Sequence, residues 1–251
     1  MHLPILRTND ESAPATNGGL DPRRRVVNEF APPERLIEWA VGRFESWRIV
    51  VTTAFGMEGC ALIDMIARTG ARLAITYLDT HFLFPETYAL RDRLAERYSN
   101  LRLVNAGSEL TPEEQAERYG PELWRTDPDR CCALRKVVPM WRVMEDSDVW
   151  LTGIRRDQSP ARANTQVVEW DWRFDVLKVN PFAHWTRVQV WEYVRANNVP
   201  YNPLHGEGYP SIGCTHCTRP VPGSVIGEYS REGRWSGTDK RECGLHLGEN
   251  I

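Results

Sequence analysis

Six cysteines carry most of the chemistry legible in this chain, and they fall into distinct groups. Cys131-Cys132 is an adjacent pair, and Cys214 and Cys217 form a distant C-x-x-C. Four thiolates in that arrangement can complete a tetrahedral sulfur shell, which suits zinc or an iron–sulfur cluster. An adjacent pair bites awkwardly at one ion, whereas a cluster offers separate irons. The spacing therefore favours a cluster, with zinc and buried or redox-active thiols as the alternatives. Cys243 has a different setting, Lys240-Arg-Glu-Cys-Gly-Leu-His246. A thiol attacks as thiolate, and nearby cations lower its pKa. Lys240 and Arg241, with His246 as a third candidate, favour that state, and Glu242 opposes it. Arg231 and Arg234 lie shortly before, beside Trp235; guanidinium forks pair well with phosphate- or sulfate-type oxygens. Cys60, on an apolar face after Gly59, reads as a small core residue.

These side chains need a scaffold, and the composition supplies one. The chain has 251 residues, 41% hydrophobic and 26% charged, with a mean hydropathy of -0.48, as expected of a folded globular protein. Acidic and basic residues nearly cancel, 34 against 31, so there is no general pull toward nucleic acid or anionic lipid. The positive charge is 28 Arg and only three Lys. No apolar run approaches the roughly 20 residues of a membrane span, and the start lacks a basic region followed by an apolar stretch. The expectation is a cytoplasmic protein whose thiols stay reduced, which makes ligands or nucleophiles of them rather than disulfides.

Residues 1–25 lack apolar periodicity and are expected to be a disordered tail. From Pro32 a helical pattern leads into a strand over Arg48–Phe55 and a helix from Met57. A strand over Leu73–Leu78 precedes a helix over Pro85–Tyr98, and a strand over Leu101–Asn105 precedes a helix from Pro112. Helical stretches around Cys131 to Glu145, interrupted near Pro139, lead to a strand over Asp148–Ile154. Such alternation predicts an α/β fold with a doubly wound, mostly parallel sheet. A strand pair over Thr165–Glu169 and Phe174–Val179 and a helix over Thr186–Asn197 follow. Residues 26–217 then form the α/β domain, and the glycine-rich residues 218–251 a mobile segment.

Ligands of open parallel sheets bind beyond the carboxyl ends of the strands, where three polar turns fall: Thr52–Gly59, Leu78–His81 and the Arg-rich loop after Gly153. The first precedes a helix, whose N-terminus could hold an anion, although it matches neither the dinucleotide nor the Walker glycine pattern. Asp79 could equally cap the turn that follows it.

Several motifs together resemble the assimilatory adenylyl-sulfate reductases, relatives of the phosphoadenylyl-sulfate reductases. They are Leu78-Asp-Thr with Phe84-Pro-Glu-Thr-Tyr88, Cys131-Cys132, Gly153-Ile-Arg-Arg-Asp-Gln-Ser159, the C-x-x-C, and Glu242-Cys-Gly-Leu-His246. The likeness runs from about Val50 to Leu247. It implies an N-type ATP pyrophosphatase-like (adenine nucleotide alpha hydrolase-like) fold. It also implies a [4Fe-4S] cluster on Cys131, Cys132, Cys214 and Cys217, and adenosine 5′-phosphosulfate as substrate. Cys243 would be the nucleophile, releasing AMP and passing its sulfonate to thioredoxin, which releases sulfite. Lys136, Arg162, Arg231, Arg234 and His246 would contact the phosphosulfate, while Phe55, Gly56, Leu78, Asp79 and Gly153 would shape the nucleotide site, largely through backbone. Lys136, four residues after Cys132, shares its face on a helix and could couple cluster to substrate. Homo-oligomers are common among such proteins. Two departures are His81, where Gly is usual, and Phe55, where many relatives have Ser. The competing readings are a cluster-free reductase of the 3′-phosphorylated nucleotide, an ATP-consuming relative, whose Ser-Gly-Gly-x-Asp-Ser loop is missing, and a non-enzymatic zinc module.

Overall fold

The computed structural model describes residues 28–228 and 230–246; the tail expected over residues 1–25 lies outside them. Short apolar runs that can be buried on both faces make the strands: β1 (Ile49–Thr53), β2 (Ala74–Tyr77), β3 (Arg102–Asn105), β4 (Val149–Leu151), β5 (Val168–Asp171) and β6 (Val176–Val179). They form one sheet in the order β3-β2-β1-β4-β6-β5. All neighbours are parallel except the edge pair β5 and β6. The chain leaves β1 toward β2 and β3 and returns on the other side at β4. The strand order thus reverses between β1 and β4, and the crevice at their carboxyl ends is where this class of sheet binds ligands.

Alternation along the strands feeds two cores. Ile49, Val51 and Leu151 face one side, packed beneath α1 (Pro33–Arg43), α2 (Met57–Arg68), α3 (Pro85–Arg97) and, further along the chain, α8 (Arg187–Ala196). Val50 and Trp150 face the other side. α4 (Pro112–Tyr119) opens on a capping box, Thr111 with Glu114, and α8 on another, Thr186 with Gln189. Short α5 (Leu123–Thr126) and α6 (Pro128–Cys132) bring in the cysteine pair.

The helical stretch then continues as a π-helical turn, Ala133–Val137, before α7 (Val138–Met144), which covers the second core through Met140 and Met144. The interruption expected near Pro139 is this widened turn. Proline has no N–H to donate and crowds the carbonyl four residues back, that of Arg135, and an extra residue in the turn relieves both. Among the described residues no helix is long and apolar enough to cross a membrane.

Candidate active site

A crevice opens at the carboxyl ends of β1 and β4, floored by Gly56 and the first residues of α2 and walled by Leu78, Gly153 and Ile154. Gly153 is fixed by close approach: a Cβ there would lie 3.1 Å from the Glu58 Cβ and 3.4 Å from the Gly59 nitrogen. Lys136, Arg162, Arg231, Arg234, Cys243 and His246 also line this crevice, so distant parts of the sequence meet on one space.

Cys131, Cys132, Cys214 and Cys217 surround an adjoining cavity, closed by Phe82, Trp124 and His216. Trp124 stacks on His216 with centroids 3.9 Å apart. The C-x-x-C is tied to the residues just after the Leu78–His81 turn by a bridge between Leu83 and Cys214 and by the Thr215 N–H donating to Phe82 O at 2.7 Å. Burial first, and then the neighbouring thiols, push Cys131 up to about 12 and Cys217 up to about 11. Without a metal or cluster to bind them, these thiols therefore stay protonated at neutral pH. Four thiols around one cavity are a donor set that either zinc or an iron–sulfur cluster could use.

Between the two cavities stands Lys136, on the π-helical turn and lining both. Burial works against its charge, yet the Cys214, Cys132 and Cys243 sulfurs outweigh burial and raise its pKa. The effect is mutual. Burial would push Cys243 up, but Lys136, the Leu245 N–H donating to the sulfur and then Arg162 bring it below the usual thiol value, against Glu242. The cations acting on Cys243 are therefore not those expected from its own segment. Lys240 pairs with Asp129, and Arg241 donates to the Thr238 and Lys240 carbonyls at 2.9 and 3.1 Å. His246 is held neutral by burial and by Arg162 and Lys178, so it adds no charge. Its ring stacks on Trp150 at 5.0 Å, and its buried Nδ1 has no hydrogen-bond partner.

The segment carrying these residues is docked rather than extended. Trp235 N–H donates to Cys217 O at 3.0 Å, and Thr218 bridges Arg234, so the thiol loop anchors the arginines. Arg234 is buried and donates to Ser211 Oγ at 3.2 Å, lying across Gly213, where a Cβ would fall 2.3 Å from Nη2. Gly213→Ala must therefore displace this guanidinium. The expected result is binding of an oxyanion in this crevice weakened about tenfold in calorimetry, with the unfolding midpoint little changed. Arg173, in the β5–β6 turn, donates to the Gly244 and Leu245 carbonyls, and Leu245 packs on the second core. Glu242 accepts from Arg162 and Ser159, and its carboxyl, despite burial, is held below the usual range by Arg162 and Arg231.

Two expected site residues contribute differently. Phe55 is 2% exposed and its ring faces Tyr77 in the core, so its side chain does not line the crevice. Its backbone takes the positive φ of 55° that turns the chain into α2. Asp79 does not line the crevice either: Oδ1 accepts from the His81 N–H at 2.8 Å and from Tyr88 Oη at 2.7 Å, capping the turn. His81 sits at φ 61°, a conformation that glycine adopts most readily and His tolerates. Cys60 is fully buried in the core, as expected.

Residues the sequence did not single out complete the site. Glu58 sits in the first turn of α2 and accepts from Arg155 Nε at 3.0 Å and Arg187 Nη1 at 2.8 Å. Burial opposes its ionisation, but Arg187 and then Arg155 bring it down to about 2. This buried trio locks the floor of the crevice to α8. Arg135, 1% exposed, donates to Gln115 Oε1 at 2.8 Å and Thr80 O at 3.1 Å beneath the thiol cavity. The only cue to Arg135 was its position next to Lys136.

Residues 48–220 match the family model for the phosphoadenosine phosphosulfate reductase domain, well over half of the chain. The chain belongs to this family. An adenosine 5′-phosphosulfate reductase of Halalkalibacterium halodurans is 48% identical over 211 residues, covering 84% of this chain and 90% of that protein. Adenosine 5′-phosphosulfate reductase 1 of Bacillus subtilis is 44% identical over 211 residues, covering 84% and 89%. Among solved structures, the phosphoadenylyl-sulfate reductase of Candida auris in its phosphate complex is 34% identical with a TM-score of 0.65, covering 76% of this chain and 91% of that one. The yeast FAD synthetase bound to FAD, at 18% identity and a TM-score of 0.54 over 76% and 66%, shares the fold alone. Family membership and a crevice at the sheet's reversal point agree with the doubly wound α/β reading.

Proposed function

We propose that the chain reduces adenosine 5′-phosphosulfate to sulfite and AMP in assimilatory sulfate reduction, which feeds cysteine biosynthesis, with Cys243 as nucleophile and a thioredoxin as reductant. The observation that carries this reading is the meeting of Cys243, Lys136 and the arginines on one crevice beside a four-thiol cavity, in a chain of this family. The Cys243 thiolate attacks the sulfate sulfur. A sulfur–sulfur bond forms, the sulfur–oxygen bond to the phosphate breaks, and AMP leaves with the electron pair. A thioredoxin thiolate then attacks the Cys243 sulfur and releases sulfite. A second thioredoxin thiol resolves the mixed disulfide, so that thioredoxin is oxidised by two electrons and the sulfur is reduced by two.

An anion attacks an anion in this reaction, and charge develops on the leaving phosphate. Lys136, Arg231 and Arg234 neutralise it, Arg162 supports the same wall, and the Nδ1 of neutral His246 offers one hydrogen bond to the substrate. Gly56, Leu78 and Gly153 shape the nucleotide's seat. Cys131, Cys132, Cys214 and Cys217 would hold a [4Fe-4S] cluster, which when bound supplies a compact, net-negative group next to Lys136. Residues 218–246 must expose Cys243 to the second partner, so this segment is the mobile element. On the same reading the protein works in the cytoplasm and assembles as a homo-oligomer.

With reduced thioredoxin, adenosine 5′-phosphosulfate is expected to yield sulfite and AMP in equal amounts, and the 3′-phosphorylated nucleotide far less. A preference for the 3′-phosphorylated nucleotide, or no sulfite from either, would sink the reading. Cys217→Ala removes one cluster ligand and should lower bound iron by at least about half, measured on anaerobically purified protein. Unchanged iron in this variant would rule out the proposed ligand set.

A further inference from the structure

We propose that Glu242 is a positioning residue that joins two tasks: it seats Cys243 over the crevice and draws the two halves of the anion clamp together. The inference rests on the reading of Cys243 as the nucleophile. One carboxylate oxygen, Oε2, accepts from Arg162 Nη2 at 2.9 Å and pairs with Arg231 Nη2 at 3.3 Å. The other, Oε1, accepts from Ser159 Oγ at 2.9 Å. Ser159 and Arg162 belong to the loop after β4, whereas Arg231 belongs to the docked segment that also carries Cys243. A single side chain therefore ties the core's arginine to the segment's arginine, one residue from the reactive sulfur.

The direction of approach separates this role from competition with substrate. Arg162, Arg231 and Cys243 line the crevice, and Glu242 does not. The carboxylate meets the guanidiniums from behind and leaves their crevice sides to the ligand. Gln158 Oε1 accepts from Arg162 Nη1 at 2.6 Å, which fixes the plane of that fork further. Two guanidiniums this close repel each other, and the shared carboxylate offsets the repulsion through charge-assisted hydrogen bonds at a site only 8% exposed. Removing one partner of a buried ionic set leaves the others uncompensated, so the seating of Cys243 and the pairing of the arginines are lost together.

The test compares the parent protein with Glu242→Gln, nearly isosteric but uncharged, and with Glu242→Asp. The limiting rate of Cys243 alkylation by iodoacetamide at high pH, where the thiol is fully ionised in every variant, reports seating without nucleotide; single-turnover sulfonation by adenosine 5′-phosphosulfate reports the assembled site. In Glu242→Gln, alkylation should speed up and sulfonation slow down, each by at least about tenfold, the low end for a lost charge-assisted hydrogen bond. Glu242→Asp should recover part of both, with iron content and unfolding midpoint as in the parent. Ser159→Ala, which removes one donor only, should shift alkylation in the same direction by less, and it keeps the test open if the Gln variant folds poorly. Alkylation and sulfonation within about twofold of the parent would overturn the proposal. So would tighter AMP binding with unchanged sulfonation, the mark of a competitor. Alkylation needs no substrate, so failure of the parent to be sulfonated would count against the nucleophile assignment while the seating result still stands on its own.

Discussion

Lys136→Met is expected to lower kcat/KM for adenosine 5′-phosphosulfate by about 10²–10³-fold, the range for removing one preorganised charge from a site where charge develops. Methionine keeps most of the buried stem's volume, so the loss isolates the ammonium. The same variant should change the pH dependence of Cys243 alkylation. In the parent the thiol lies below its ordinary value because Lys136 is the foremost group favouring the thiolate, ahead of the Leu245 N–H and Arg162. Reactivity therefore rises with pH through that lowered value, and loss of Lys136 should move the rise to higher pH. The ammonium itself stays protonated throughout, since the surrounding sulfurs raise its pKa. Iron content should be retained. An unmoved alkylation profile with a normal kcat/KM would remove Lys136 from the site chemistry.

Cys243→Ser should reduce sulfite formation by at least about 10⁴-fold, because a hydroxyl at its ordinary pKa has no comparable nucleophilicity and nothing beside it serves as a strong base. The neighbours that favour a thiolate are Lys136, an N–H and Arg162, all of them donors. The informative half of this prediction is what persists. AMP affinity and bound iron should stay within about twofold of the parent, since Arg231, Arg234 and the four other cysteines are untouched. Loss of AMP binding along with activity would mean that Cys243 supports the fold of its segment rather than the reaction.

The parts of this site that a reader of the sequence can see are those set by local pattern. Apolar runs such as Ile49–Thr53 and Ala74–Tyr77 give the parallel strands, and the turns that follow them must then fall at one edge of the sheet. The cysteine groups announce themselves by spacing. What stayed hidden depends on distant partners. Lys240 and Arg241, adjacent to Cys243 in sequence, turn to Asp129 and to backbone carbonyls, while Lys136 and Arg162 arrive from elsewhere. Glu242 reads as a charge opposed to the thiolate, and it is, yet its carboxylate is also paired with two arginines. The edge strand β5 lies at Val168–Asp171, further along than Thr165–Glu169, because pairing with β6 and the contacts of Lys178 to Glu169 and Asp171 at 3.2 and 3.5 Å set its register. Helix α5 has four residues, too few for any period to show.

The most direct test of the central claim is the intact mass of anaerobically purified protein after mixing with adenosine 5′-phosphosulfate in the absence of any reductant. The account requires a single sulfonate on the chain, mapped to Cys243 by peptide analysis and removed as sulfite when reduced thioredoxin is added. No adduct, or an adduct that persists in Cys243→Ser, would contradict it.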